Sequence, residues 1–338
     1  MRHRRYSHGS ILIITTKHFI AVFFLSLCSL TSVEVFAQPV RVGFWTSGAM
    51  QGFGAVLEAG KFLEAEGLEP EFTHFADING PTRAIATGSI DVAFTPIAGT
   101  FGLAADGAPI KIVLATQVAE GDFMVATESP IHSLDDLKGK RLGTSPAGSS
   151  MQALTLAVLQ HNHGFGAGSL TIVPGADPRL AQLLSQGDID VGVLRRVVVD
   201  GLAQTSLRRI GTLDQEWKRM TKGSAPPLTA VAIARTDYAR AHPGAIVEFV
   251  EGVIAATKWG GDHPDRVEKL LLGSAALDAA TAGSSARQWS HVFIASLTSD
   301  DVATLHEMDR IFRDQAILEK APPDDLIQPS AFQAAKGG

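Results

Sequence analysis

Gly148-Ser149-Ser150 stands directly before the apolar run Met151 to Leu159, whose spacing is helical. The first N–H groups of a helix have no partner inside it and lie at the positive end of its dipole, so such a start can hold an anion. Ser149 or Ser150 would also cap its own helix, and the two roles are compatible. Arg195 offers anion chemistry of another kind, because a guanidinium can fork onto a sulfonate, carboxylate or phosphate. Arg196 follows it and reads as the solvated member of the pair. Trp45, in a chain only 7% aromatic, supplies either a flat apolar wall with an indole donor or an ordinary piece of core.

Residues that would transform a ligand are not signalled. Gly-x-Ser-x-Gly and Walker patterns are missing, and His306-Glu307 is followed by Arg310 where a metalloprotease helix needs His. His161 and His163 lie two apart near a helix end, point to different faces and read as exposed groups favoured by the negative helix terminus rather than as metal ligands. Gly52-Phe53-Gly54 has Leu57 where a dinucleotide fingerprint needs a small residue, so the glycines read as a turn that brings backbone close to a ligand. Asp135-Asp136 with Lys138 and Lys140 reads as a solvated turn. No catalytic residue, metal or cofactor is assigned.

The elements that must position these residues come from an internal repeat. Arg41-Val42-Gly43-Phe44-Trp45-Thr46-Ser47-Gly48 matches Arg141-Leu142-Gly143-Thr144-Ser145-Pro146-Ala147-Gly148, and Gly88-Ser89-Ile90-Asp91-Val92-Ala93 matches Gly187-Asp188-Ile189-Asp190-Val191-Gly192 at nearly the same offset. Two similar α/β lobes with mostly parallel sheets follow. Strands are expected near 40–45, 70–75, 90–94 and 110–116 in the first lobe, and near 140–144, 170–173 and 190–194 in the second. Helices are expected at 149–161 and 177–186, with stops at Gly164 and Gly187. Another carries Phe53, Val56, Leu57, Gly60 and Leu63 on one stripe and ends near Gly67. Phe123 to Thr127 and Leu228 to Ala234 are candidate hinge strands. From Arg235 the chain is helical, with breaks near Gly260-Gly261, Gly283-Ser284-Ser285 and Pro322-Pro323. The division is 38–122 for the first part of lobe 1, 123–232 for lobe 2 with its hinge strands, and 233–338 for a helical part packing back on lobe 1.

In an open parallel sheet the ligand lies beyond the carboxyl ends of the strands. Paired strand ends therefore nominate Trp45, Thr46, Ser47 and Gly48 against Ser145, Gly148, Ser149 and Ser150, and Thr95 and Pro96 against Arg195. Gln117, just past the fourth strand, is added. Asp91 and Asp190 open strands at the opposite edge and read as structural.

Arg2, Arg4, Arg5 and Lys17 precede an apolar run from Phe19 to Leu30, and Val35-Phe36-Ala37 closes it. A run of about a dozen residues is short of the roughly 20 needed to span a bilayer, so 1–37 reads as a secretory signal peptide. Leu27 before Cys28 argues against lipidation. Cleavage after Ala37 removes the only cysteine, leaving neither a disulfide nor a thiol nucleophile. The net charge of −6 becomes about −9 without the leader, which argues against a nucleic-acid partner. A closed site can still hold an anion with a few local donors.

Ser133-Leu134-Asp135-Asp136-Leu137-Lys138-Gly139-Lys140-Arg141, with Gly88 to Ala93 and Gly107-Ala108-Pro109-Ile110-Lys111-Ile112-Val113, resembles periplasmic substrate-binding proteins of nitrate, sulfonate, taurine and thiamine-precursor ABC importers, the SsuA/THI5-like family. The resemblance implies a type II periplasmic-binding-protein fold whose two lobes, joined by two hinge strands, close on one small ligand. It implies a monomeric, periplasmic, non-enzymatic component that serves an ABC permease in the inner membrane. A taurine-like or other sulfonate stands first as ligand, with nitrate, bicarbonate, an aromatic carboxylate or a thiamine-precursor pyrimidine behind. The loop Trp45 to Gly48, Thr95-Pro96 and Ser145 to Ser150 fall on family ligand positions. After Val191, where many relatives carry an acidic or Pro-containing turn, this chain has Leu194-Arg195-Arg196. The fold also hosts a pyrimidine synthase and a cysteine-dependent desulfinase, and an exported enzyme or a sensor's ligand adapter is the competing class.

Overall fold

Arg41 and Arg141, which open the two halves of the repeat, make the same contacts. The Arg41 guanidinium donates to Asp91 at 2.8 and 2.6 Å, and its backbone N–H donates to the same carboxylate at 3.1 Å. Arg141 does the same to Asp190 at 3.1, 2.8 and 2.7 Å. Each pair ties the start of one strand to the start of its parallel neighbour. Burial opposes ionisation of Asp91, but Arg41 and the charge of Arg235 outweigh it and hold the carboxyl below its usual range. The expected structural role of the two aspartates stands.

The computed structural model describes residues 38–201, 206–223, 225–274 and 277–337. The expected leader, with Cys28, lies outside them. The first lobe opens with β1 (Gln38–Trp45), α1 (Gly48–Ala59), α2 (Phe62–Ala65), β2 (Leu68–Phe75), α3 (Gly80–Ala86), β3 (Val92–Pro96), α4 (Ile97–Ala105) and β4 (Ile110–Val118). The chain then crosses into β5 (Asp122–Ala126), β6 (Arg141–Thr144), α5 (Ser150–His163), β7 (Thr171–Pro174), α6 (Asp177–Gln186), β8 (Val191–Leu194), α7 (Arg196–Gly201), β9 (Leu207–Thr212) and α8 (Leu213–Thr221). It returns through β10 (Leu228–Arg235), α9 (Thr236–Ala241), α10 (Pro243–Asp262), α11 (Pro264–Ser274), α12 (Ala279–Val292), β11 (Phe293–Ser296), α13 (Ser299–Asp314) and α14 (Ser330–Gly337).

Two sheets result. One has six strands in the order β11-β4-β10-β3-β1-β2, the other five in the order β7-β6-β8-β5-β9. β1, β2 and β3 run parallel, as do β6, β7 and β8. β10 and β5 run against their neighbours. The α/β, two-lobed fold expected from the repeat is therefore present, but both sheets are mixed and not mostly parallel, because β5, β10 and β11 pair antiparallel with their neighbours. The candidate hinge strands are not free connectors, because β5 lies inside the second sheet and β10 inside the first, where backbone pairing on both sides satisfies their polar groups. The crossings themselves are short, residues 119–121 on the way out and the stretch that joins α8 to β10 on the way back.

The expected stops Gly164 and Gly187 cap α5 and α6 in the left-handed region, with φ of 71° and 74°. Other glycines depart from expectation. α10 runs through Gly260-Gly261 and α12 through Gly283-Ser284-Ser285 without a break. Gly260 is a packing contact, since a methyl there would lie 2.1 Å from the Trp289 ring. Gly54 similarly admits Phe44, at 2.1 Å from such a methyl, so it serves helix-on-sheet packing and not a ligand-approaching turn. The helix expected to run on to Gly67 breaks at Gly60-Lys61, where Lys61 takes a φ of 53°. The imidazole of His163 is also enclosed, against expectation. The side chain is 3% exposed and lies between Asp135 at 2.6 Å and Glu216 at 3.0 Å, tying α5 to α8 and to the turn before β6.

The first lobe's core gathers Phe53, Phe94, Phe249, Trp289 and Phe293, with Phe53 stacked on Trp289 at 5.7 Å. α10 and α12 thus pack on the first sheet, which fixes where α12 meets the gap between the lobes.

Candidate functional site

The carboxyl ends of β1, β3, β6 and β8 face a cavity of about 400 Å³ between the two sheets. Of the residues nominated from the sequence, Trp45, Ser47, Gly48, Pro96, Gln117, Ser145, Ser149, Ser150 and Arg195 line it. Trp45 is both wall and core, lining the cavity while only 4% exposed. Three nominees lie elsewhere. The Thr46 hydroxyl turns back to the Phe75 carbonyl at 3.3 Å. Thr95 is fully buried and shares a 2.7 Å hydrogen bond with Thr100, so its side chain points into the sheet's other layer. Gly148, at φ 80°, packs against the Asn79 side chain where the lobes meet.

Both expected helix starts are at the cavity. Ser149 caps α5 by accepting from the Gln152 N–H at 3.3 Å. Ser150 accepts from the Ala98 N–H at 3.2 Å, which links α5 to the start of α4 across the lobes. α1 has no side-chain cap from Ser47, and no acidic residue stands in its first turn. Its opening residue Gly48 has a φ of 57°, and a methyl there would lie 2.6 Å from Arg195 Nη1. A glycine is needed at that point for its left-handed backbone and for the room the guanidinium occupies.

Arg195 is not disposed as the sequence suggested. Its Nε donates to Asp177 at 2.7 Å and its Nη2 at 3.4 Å, so the forked edge is taken by a carboxylate of the protein. The Nη1 side, toward Gly48, is what faces the cavity. Burial works against the charge on Arg195, but the charge and hydrogen bonds of Asp177, with help from Glu120, outweigh it and raise its pKa. The Arg196 side chain lies near Asp122 at 3.9 Å, and its backbone N–H donates to Glu120 Oε2 at 2.5 Å.

Sequence reasoning missed three acidic residues at the cavity: Asp77, Asp177 and Glu120. The first two had a signal, because Ala76-Asp77 and Ala176-Asp177 repeat at the same offset as the strand motifs. Asp77 is paired with Arg83 at 2.5 Å, which holds its carboxyl below the usual range. Burial pushes the Glu120 carboxyl up to about 7, against the Arg196 N–H and the charges of Arg195 and Arg196, and with a further push from Asp177. Glu120 has no counterpart in the repeat. Nor do Leu277, Thr281, Ser285 and Val292, which come from α12 and its approach. The cavity thus has a polar end at the helix starts of α1 and α5, and walls that are largely apolar.

The chain belongs to the NMT1/THI5-like family, whose model matches residues 57–267. With this goes the type II periplasmic-binding-protein fold already evident in the two sheets. Among solved structures, it is similar to the alkanesulfonate-binding protein SsuA from Xanthomonas axonopodis pv. citri bound to MOPS, at 18% identity and a TM-score of 0.70 over 86% of this chain and 98% of that one. The aliphatic sulphonate binding protein SsuA from Escherichia coli superposes at 18% identity and a TM-score of 0.67, covering 86% and 92%. The desulfurization enzyme DSZB in complex with biphenyl-2-sulfinic acid superposes at 15% identity and a TM-score of 0.63, covering 88% and 99%. No curated protein matches the chain by sequence.

Proposed function

We propose that this protein is the extracytoplasmic solute-binding component of an ABC importer, exported to the periplasm by residues 1–37, and that it takes a small organic acid between its lobes. The observation that carries the acid is the meeting of two positive features at one point. The Arg195 Nη1 edge lies against the uncapped start of α1 at Gly48, with the start of α5 also on the cavity. A cation beside the positive end of a helix is unfavourable unless negative charge lies close by, and a sulfonate or carboxylate there accepts from both. Asp177 supplies part of that charge, which makes a singly charged acid a better fit than a doubly charged one.

Trp45, Ile78, Val118, Val197, Val198 and Val292 give the rest of the cavity an apolar character, suited to an organic body behind the acid. Alkyl and aryl sulfonates therefore stand ahead of nitrate or bicarbonate, which would leave those walls unfilled. Closure of the lobes about the two crossings between them would enclose the ligand, and an inner-membrane permease would receive it.

Isothermal titration of the protein with sulfonates, carboxylates, nitrate and bicarbonate tests the reading. Saturable one-to-one binding of an organic acid, without turnover, is the expected result. Failure of every acid in the panel to bind, or conversion of one into product, would remove it.

A further inference from the structure

Two polar atoms on the inner wall of the cavity have no hydrogen-bond partner among the described residues, although both are buried: Gln117 Nε2 and Glu120 Oε1. Both residues line the cavity, and they follow one another at the end of β4 and the crossing beyond it. Gln117 is 4% exposed. The other Glu120 oxygen is already committed, accepting from the Arg196 N–H at 2.5 Å. That contact fixes which way the carboxyl is turned and directs Oε1 away from Arg196.

A buried donor or acceptor without a partner is destabilising, and such groups in folded proteins are nearly always paired. Here one unpaired donor and one unpaired acceptor share a wall. Neither atom is partnered by another described residue, and Val118, Met151 and Val292 are among the residues that line the same cavity. We propose that Gln117 and Glu120 form a specificity subsite for an amide-type group on the ligand, a carboxamide, ureido or lactam edge, whose N–H donates to Glu120 Oε1 and whose carbonyl accepts from Gln117 Nε2. This rests on the reading of the cavity as an organic-acid site and names a second group on that acid. A purely aliphatic tail would leave both atoms unpaired.

Selectivity follows from geometry. A site built around a hydrogen bond rejects a near-isostere that cannot make it, because the protein's own buried group is then stranded. Glu120→Gln sharpens the point. The Arg196 N–H must still be accepted, so the new amide keeps its carbonyl oxygen there and presents an N–H group where Oε1 stood. The subsite changes from one acceptor and one donor to two donors.

The test is isothermal titration at pH 8.5, where the Glu120 carboxyl has lost its proton and Oε1 can only accept, with three probes: 4-carbamoylbenzenesulfonate, its near-isostere 4-acetylbenzenesulfonate, and neutral benzamide. The carbamoyl compound is expected to bind about 10-fold or more tightly than the acetyl compound. In Glu120→Gln that ratio should collapse or reverse, and in Gln117→Leu both compounds should weaken, with folding of each variant checked by thermal melting. Equal affinities in the unaltered protein, or a ratio that Glu120→Gln leaves unchanged, overturn the subsite. If neither sulfonate binds while benzamide binds and depends on both residues, the acid reading fails and the subsite stands. If no probe binds, both fall.

Discussion

Arg195 is held by Asp177 and at the same time presents Nη1 to the cavity, so its removal has two separable consequences. The Asp177 side chain is 3% exposed, and stripping its partner leaves a buried charge unpaired. Arg195→Ala is therefore expected to lower the melting temperature and to weaken organic-acid binding by about 10-fold or more. Adding Asp177→Ala should recover much of the stability and none of the affinity. Recovery of both would mean that the guanidinium acts on the ligand only by keeping α6 in place. Glu120 gives a pH-dependent case. Its pKa is raised from 4.5 to about 7, so the folded state holds a proton that the unfolded chain gives up. Its contribution is fully present below about pH 4.5 and is lost as the pH rises through about 7. Glu120→Gln should thus stabilise the protein at pH 8, on the order of 2–3 kcal/mol, and change little at pH 4.5. Melting curves of the two proteins at both pH values check this, and an equal shift at each would show that Glu120 is ionised throughout.

At the level of strands and helices, the repeat made most of the architecture readable. The Gly-x-Ile-Asp and Arg-x-Gly motifs placed the two tethers, the strand ends and the helix starts, because in each lobe the same backbone has to be held at the same points. What the repeat does not contain could not be read that way. The unbroken α10 and α12 were obscured by glycines, of which Gly260 and Gly261 leave room for Trp289 and Ser290, and a glycine's packing partner is invisible until the fold is known. Glu120 and the α12 residues reach the cavity through crossings and return helices that have no partner in the other half. Arg195 was found by its place at a strand end, whereas its engagement with Asp177 depends on a side-chain direction that spacing alone does not set. The two tethers also differ in a measurable way. The Asp91 side chain is 10% exposed and also lies 3.7 Å from Arg235, while that of Asp190 is 27% exposed. Asp91→Ala is expected to destabilise the protein more than Asp190→Ala, by about 1 kcal/mol for the former, since the Asp91 carboxylate is the more buried and also serves Arg235, while Arg41 and Arg141 both keep much of their contact with solvent. Urea unfolding of the single variants measures both, and the opposite order would mean that the first lobe relaxes around the loss.

For the molecule as a whole, the two lobes meet through a few hydrogen bonds around the rim of the cavity. Asn79 Nδ2 donates to the Ala147 carbonyl at 3.1 Å, and Gln288 Nε2 donates to Asp200 at 2.9 Å. Neither Asn79 nor Gln288 lines the cavity, so each can bias the lobes toward one another without touching a ligand. Ligand affinity in a two-lobed protein is the intrinsic affinity scaled by the fraction of molecules in the binding-competent arrangement. A neutral hydrogen bond contributes about 1 kcal/mol, equivalent to roughly a fivefold change in that fraction when the open form already predominates. Asn79→Ala is accordingly expected to weaken organic-acid binding by about fivefold, chiefly through faster dissociation, because the open form releases ligand while the contacts within the closed form are unchanged. Stopped-flow measurement of both rate constants, with small-angle scattering of the ligand-free variant, tests the link. With the open form already predominant, the scattering of the ligand-free variant should match that of the unaltered protein while release quickens about fivefold, and a change in the association rate constant instead would place the effect in the cavity itself and not in the balance between the lobes.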